Sequence, residues 1–356
     1  MMLLKELRIK HKTIEEMLIA TIRLNMKERK ELYTVLDELT QHIPKEHIKG
    51  PAFCIFRFVT SIKEGFDVEV GLPVVQAVET GNIKTRFLPE MEVLSLVHTG
   101  PVEELGETYE KLYGCASEHG LISDEFCKEI YSDSNDPTGD KIELQFVLHN
   151  WNRLLGRNLE RVLGKETRLK VMQGSDELTL ESTADERFHW VKGVVERLGE
   201  LADEGQKYDI LSSCAHVFPG EQIEKLKVVY EEVRTRTGDS LKAVDAVIKF
   251  MGEDPGWGKA PLRKGNVIYS TKQPRDPKRY ENAKSEAEKR KSYCFCPLVR
   301  NHLDEGMPIT FCYCGAGWCR QQWEGAIGKP VRIEVVKSVL SGDDVCQFAI
   351  HLPKNQ

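Results

Sequence analysis

MEVLSLVHTG (91–100), ELGETYEKLYGCASEHG (104–120), EFCKEIYS (125–132) and KIELQFVLH (141–149) follow one another as apolar strand, amphipathic helix, strand and strand. The same order stands upstream in EEMLIATIRL (15–24), KERKELYTVLDELTQHI (27–43), PAFCIFRFV (51–59) and FDVEVGLPVV (66–75). The copies also agree residue by residue: Tyr33 falls against Tyr109, Leu36 against Leu112, Phe53 and Cys54 against Phe126 and Cys127, and Glu69 against Glu143. Gly120 stands where a helix C-cap belongs. A duplicated βαββ unit pairs its strands into one antiparallel sheet, with two helices on one face and a pseudo-two-fold axis between the halves. The opposite face is left to form a cleft.

Strand alternation then places the chemistry. Val68, Val70 and Leu72 share one face of their strand, and Ile142, Leu144 and Phe146 one face of theirs, which sends Glu69 and Glu143 to the helix-free side. A carboxylate in a partly apolar cleft needs a cation or a hydrogen-bond donor, and desolvation raises its pKa. Two uses follow: an anchor for a cationic aromatic ligand, walled by Phe58, Tyr109 and Tyr131, or a general base that activates water. The alternative is a pair of exposed carboxylates on a solvated sheet.

HTGPVEELGETYEKLYGCASEHGL followed by EIYSDSNDP and KIELQFVL, with DVEVGLPV in the first half, resembles the GyrI-like, or AraC-type effector-binding, domain. The likeness covers residues 5 to 149 and includes order, spacing and local motifs. It implies a duplicated sheet around a central cleft that binds hydrophobic, often cationic, small molecules. The family's acidic ligand-binding residue, on the last strand, carries over to Glu143. Some relatives hydrolyse reactive electrophiles in that cleft with a carboxylate and a tyrosine. Val102 follows Gly100 and Pro101 where an aromatic residue is common, so the cleft's specificity is not inherited. The repeat starts within the first dozen residues, which argues against a DNA-binding domain ahead of it and against a one-chain transcription activator.

The whole chain of 356 residues is long enough for two cores, and its net charge of -6 argues against a chain whose main task is holding nucleic acid. Charge interrupts the first apolar residues, so no signal peptide, membrane span or membrane partner is expected, and the protein reads as cytoplasmic. Ten cysteines there are more apt to be thiols or ligands than disulfides. The domain reading is 1–150 for the effector-binding unit, 151–185 for a connecting segment, and 186–356 for a helical and α+β cysteine-rich domain. Thr183 and Glu186 have capping-box spacing before a helix beginning near Ala184. GEQIEKLKVVYEEVRTRTG (220–238) and SLKAVDAVIKFMG (240–252) read as further helices, closed by a Gly- and Pro-rich loop at 253–266. RQQWEGAIG (320–328) reads as a short helix and 330–352 as a hairpin packed on it.

Cys294, Cys296, Cys312, Cys314 and Cys319 crowd into this last part. In extended backbone each Cys-x-Cys pair would aim two sulfurs at one centre, which suits zinc or an iron–sulfur cluster. Cys319 ahead of the 320–328 helix suggests instead a thiolate stabilised by the helix dipole, and small apolar packing is the third reading. EGAIGKPVRIEVVKSVLSGDDVCQFAIHLP (324–353) resembles the C-terminal hairpin of four-vinyl reductase-type and aminothiazoline carboxylate hydrolase-like domains, with Cys346 the matching cysteine. The leading expectation is a small-molecule-binding protein. Its rivals are a hydrolase using the same cleft, a metal- or thiol-dependent enzyme, and a regulator acting through a partner.

Overall fold

Residues that alternate apolar and polar along Phe66–Pro73 and Lys141–Leu148 become the inner strands of one antiparallel sheet in the computed structural model. The structure describes residues 8–57, 65–121, 123–131, 141–179 and 181–353. The chain divides into two compact units, Met1–His149 and Asn150–Gln356.

The first unit runs β1 (Lys10–Ile14), β2 (Met17–Met26), α1 (Glu31–His42), β3 (Phe53–Arg57), β4 (Phe66–Pro73), β5 (Lys84–Leu88), β6 (Met91–Thr99), α2 (Leu105–Glu118), β7 (Ser123–Tyr131) and β8 (Lys141–Leu148). Its eight strands order as β1-β6-β8-β7-β3-β4-β2-β5 and curl into a half-barrel. Helix α1 lies against β2 and β4, and α2 against β6 and β8. Each helix turns Leu and small residues to the sheet, among them Leu32, Leu36 and Leu39 from α1 and Leu112, Cys115 and Ala116 from α2. Gly120, at a φ of 65°, turns the chain out of α2 where the sequence calls for a C-cap.

Two features go beyond the four-element repeat. Each half begins with an extra strand, and these strands are exchanged: β1 of the first half pairs with β6 of the second, and β5 of the second with β2 of the first. The register also corrects the residue alignment. Glu69 pairs with Ile55 and Arg23, and Glu143 with Ile130 and Val97, so Ile55 is equivalent to Ile130. Phe53 and Cys54 therefore match Lys128 and Glu129, not Phe126 and Cys127. Strand β7 also carries an irregularity between Ser123 and Cys127, ahead of its regular pairing with β8.

The second unit contains α3 (Trp151–Leu163), α4 (Lys165–Val171), α5 (Ala184–Leu201), α6 (Glu204–Ser212), α7 (Gly220–Thr237) and α8 (Ser240–Gly252). After these come β9 (Leu262–Lys264), β10 (Val267–Thr271), α9 (Pro277–Glu281), α10 (Glu286–Tyr293), α11 (Tyr313–Ile327), β11 (Arg332–Lys337) and β12 (Gln347–His351). Thr183 and Glu186 form both arms of the capping box, and α5 starts at Ala184. The expected hairpin is present as β11 and β12, packed on α11, but it belongs to a four-stranded sheet, β11-β12-β10-β9. Strand β9 arises inside the stretch read as loop, because Gly265, at a φ of 59°, closes a tight turn into β10. Trp323, Leu226, Val247, Ile268 and Ile350 anchor the core beneath. Helix α11 packs closely on its neighbours: a Cβ on Gly317 would stand 1.9 Å from the Ser212 carbonyl oxygen.

Candidate functional site

Ile19, Phe53, Ile55, Leu88, Met91, Val93 and Val147 form one buried apolar cluster, and pairing register puts all of them on the face away from the helices. A sheet face without a covering helix normally alternates toward solvent and polar residues. Here the curl of the sheet buries apolar side chains on its concave side, and the two carboxylates stand on the same face.

Glu69 is buried on this face. It accepts hydrogen bonds from Thr21 Oγ1 at 2.8 Å, Arg57 Nη2 at 2.7 Å, and Arg86 Nε and Nη2 at 2.9 and 2.7 Å. Burial works to raise its pKa, but the guanidiniums of Arg86 and Arg57 outweigh it and hold the carboxyl at about 2. Glu143 accepts from Lys12 Nζ and Ser95 Oγ, each at 2.7 Å, and from Gln145 Nε2 at 2.9 Å. Its desolvation, which raises the pKa, is likewise overcome by Gln145, Lys12 and Ser95, and the net shift is downward. The side chain keeps 23% of its surface, against 5% for Glu69.

The partners repeat with the fold. Thr21 and Ser95 stand opposite Gly71 and Gln145, the residues two beyond each carboxylate, so they are equivalent donors. Lys12 and Arg86 come from the exchanged strands β1 and β5, so each half supplies a cation to the other half's carboxylate, and Glu69 has a second, Arg57, from its own half. Glu69 and Glu143 share the face without meeting. Strands β3 and β7 lie between β4 and β8, a separation of about 14 Å at ordinary strand spacing.

Tyr109 and Tyr131, expected as walls of the cleft, lie on the other face. Tyr131 has the same parity on β7 as Cys127 and Glu129, which puts it beneath the helices, and Tyr109 comes from α2. Both phenols donate to Glu129 at 2.7 Å, and the Arg29 guanidinium completes the group through a short ion pair. Desolvation first and Glu129 among the neighbouring groups push both phenols well above their usual range. Phe58 lies outside the described residues. The residues missed in the sequence are Lys12 and Arg86 of the exchanged strands, Arg57 of β3 and Lys128 of β7. A lysine or arginine on a short polar strand carries no motif, so register alone reveals them.

The cysteine-rich part differs from its extended-strand reading. Cys312 precedes α11 and Cys314 lies within it, where side chains two residues apart point to different sides of the helix. Cys312 Sγ meets Ser338 Oγ at 3.3 Å, whereas Cys314 Sγ donates to the Cys214 carbonyl at 3.5 Å. Cys294 and Cys296 follow α10 in irregular backbone. Among the described residues no group of three or more His, Cys, Asp or Glu side chains could hold a metal ion. Cys319 is inside α11 rather than ahead of it, because the helix starts at Tyr313, and burial pushes its thiol up to about 11. It packs in the core beside Trp323 and Ala316.

Residues 8–148 match the family described as the GyrI-like small molecule binding domain, and residues 282–356 match a family of unknown function, DUF6144. No curated protein matches the chain. Among solved structures the chain is similar to EcmrR in a DNA complex, with 21% identity and a TM-score of 0.35 over 39% of this chain and 56% of that one. It therefore spans about half of that relative. It is also similar to a hydrolase from Listeria innocua, at 13% identity and a TM-score of 0.30 over 39% of this chain and 90% of that one. A third, SAV2435 bound to tetraphenylphosphonium, has 7% identity and a TM-score of 0.31 over 41% of this chain and 96% of that one. At these identities none transfers a ligand or a reaction.

Proposed function

We propose that residues 8–148, the part that matches the GyrI-like small molecule binding domain, bind a hydrophobic small molecule in the helix-free hollow, with Glu143 as the acidic contact at its rim. The observation that carries this reading is the apolar cluster around Phe53 and Ile55 on the face opposite α1 and α2. Burying a ligand's own apolar surface beside these side chains is worth about 25 cal/mol per Å², and the partly exposed Glu143 supplies a polar end to the site.

Binding is favoured over hydrolysis. A general base works best with a pKa near the operating pH, whereas Glu143 is held low by three donors. The tyrosines that a carboxylate–tyrosine mechanism would need are tied to Glu129 on the other face. We place the protein in the cytosol, a reading supported by its ten free cysteines. No described helix is long and apolar enough to cross a membrane.

Thermal shift across a panel of hydrophobic compounds tests the reading. Compounds that stabilise the chain should do so less with Glu143→Gln; a tenfold weaker affinity at fixed ligand excess removes about 1.4 kcal/mol of stabilisation. A panel that never raises the transition contradicts it, and turnover lost in Glu143→Gln while binding survives would favour a hydrolase.

A further inference from the structure

The two halves of the sheet differ most in the middle of the helix-free face. Phe53 pairs with Gly71, and the equivalent Lys128 pairs with Gln145. In the first half the Phe53 ring covers Gly71 so closely that a Cβ there would stand 2.8 Å from Phe53 Cζ. The second half puts an amine and an amide in the same places, each with 2% of its surface exposed.

These polar groups are incompletely matched. The Lys128 ammonium sits 4.6 Å from the centre of the Phe53 ring, and no hydrogen bond joins it to a described residue. Gln145 gives its Nε2 to Glu143, while its Oε1 has no partner among the described residues. Arg57, whose cross-strand neighbour Phe126 is two residues from Lys128, gives Nη2 to Glu69, while its Nη1 has no described partner. Buried donors and acceptors are normally satisfied, so three open groups on one face mark a place for something else. Charge agrees: Lys12, Arg57, Arg86 and Lys128 face Glu69 and Glu143, a surplus of two positive charges.

We propose that the hollow takes an apolar ligand with an anionic head, a carboxylate whose oxygens accept from Lys128 and Arg57, with a hydroxyl or N–H beside it that donates to Gln145 Oε1. This rests on the hollow being the ligand site. The carboxylate of Glu69 then serves as the holder of Arg57 and Arg86, and Glu143, which holds Lys12, meets the ligand through its hydroxyl or N–H rather than as the anchor of a cation. Burial pushes the Lys128 pKa down to about 8 against the opposing pull of Glu143, and an incoming anion raises it. Ligand binding at pH 8 therefore takes up protons, and affinity falls as pH rises above that value.

Isothermal titration of the full chain at pH 8 with 2-hydroxydecanoate, decanol and decyltrimethylammonium tests this. The expected result is carboxylate affinity at least tenfold above that of the ammonium, with proton uptake seen as a buffer-dependent heat. Lys128→Met should lose tenfold or more for the carboxylate and keep decanol affinity, which also shows that the variant is folded. Tighter binding of the ammonium, or carboxylate affinity unchanged in Lys128→Met, overturns the head-group assignment and leaves the hollow standing as a site. Failure of all three compounds to bind overturns both.

Discussion

Lys12, near the start of the chain, donates a 2.7 Å hydrogen bond to Glu143 on the last strand of the sheet. The contact exists because β1 crosses to the other half, and it occupies the place a cationic ligand would need. Lys12→Met should open that place. Decyltrimethylammonium should then bind several-fold more tightly than to the unmodified chain, as measured by titration calorimetry at low salt, since a partly exposed pair is readily screened. Equal affinity in both would show that Lys12 does not guard the carboxylate.

Glu69 holds two guanidiniums that have little other compensation. Glu69→Gln leaves Arg57, and the more exposed Arg86, facing a neutral amide; breaking a fully buried pair costs about 3–5 kcal/mol, and the loss here should lie toward the low end because Arg86 reaches solvent. Urea unfolding should report a loss of that order, whereas Glu143→Gln, at a more exposed site, should cost distinctly less. Equal losses would contradict the difference in burial.

Acid should act through the same residue. With a folded pKa of about 2 and an unfolded value in the ordinary glutamate range, Glu69 stabilises the fold fully above about pH 5, and this contribution is lost as pH falls toward 2. Its size is about 3 kcal/mol. Urea midpoints measured from pH 6 to pH 2 should fall in the unmodified chain and fall less in Glu69→Gln; parallel curves would refute the assignment.

In the second unit, Gly317→Ala places a methyl 1.9 Å from the Ser212 carbonyl oxygen and 2.8 Å from the Ala215 Cβ, so α11 has to move off α6. Overpacking of this kind costs about 1–3 kcal/mol, and more when backbone blocks the way. Calorimetry should show a lower transition temperature; an unchanged one would mean that the helices are not in close contact.

Much of this was legible in the sequence, for physical reasons that apply to some residues and not to others. Apolar alternation in 66–75 and 141–149 set the faces of Glu69 and Glu143, and Thr183 with Glu186 marked the start of α5. The exchanged strands escaped notice because KHKTI and KTRFL are short and polar and look like turns. Tyr109 and Tyr131 were assigned to the cleft from their residue type, but the parity of β7 turns Tyr131 inward to Glu129. For the cysteines, spacing alone assumed extended backbone, whereas α11 begins at Tyr313 and puts Cys314 in helical geometry.

The most direct test of the central claim is a methyl NMR titration of the full chain with 2-hydroxydecanoate. Shifts are expected in the methyls of Ile19, Ile55, Val93 and Val147 on the helix-free face, with those of Leu36, Leu112 and Leu144 beneath the helices left unmoved at saturation. Shifts confined to the helix-covered set, or no shifts on the helix-free face at saturating ligand, would contradict it.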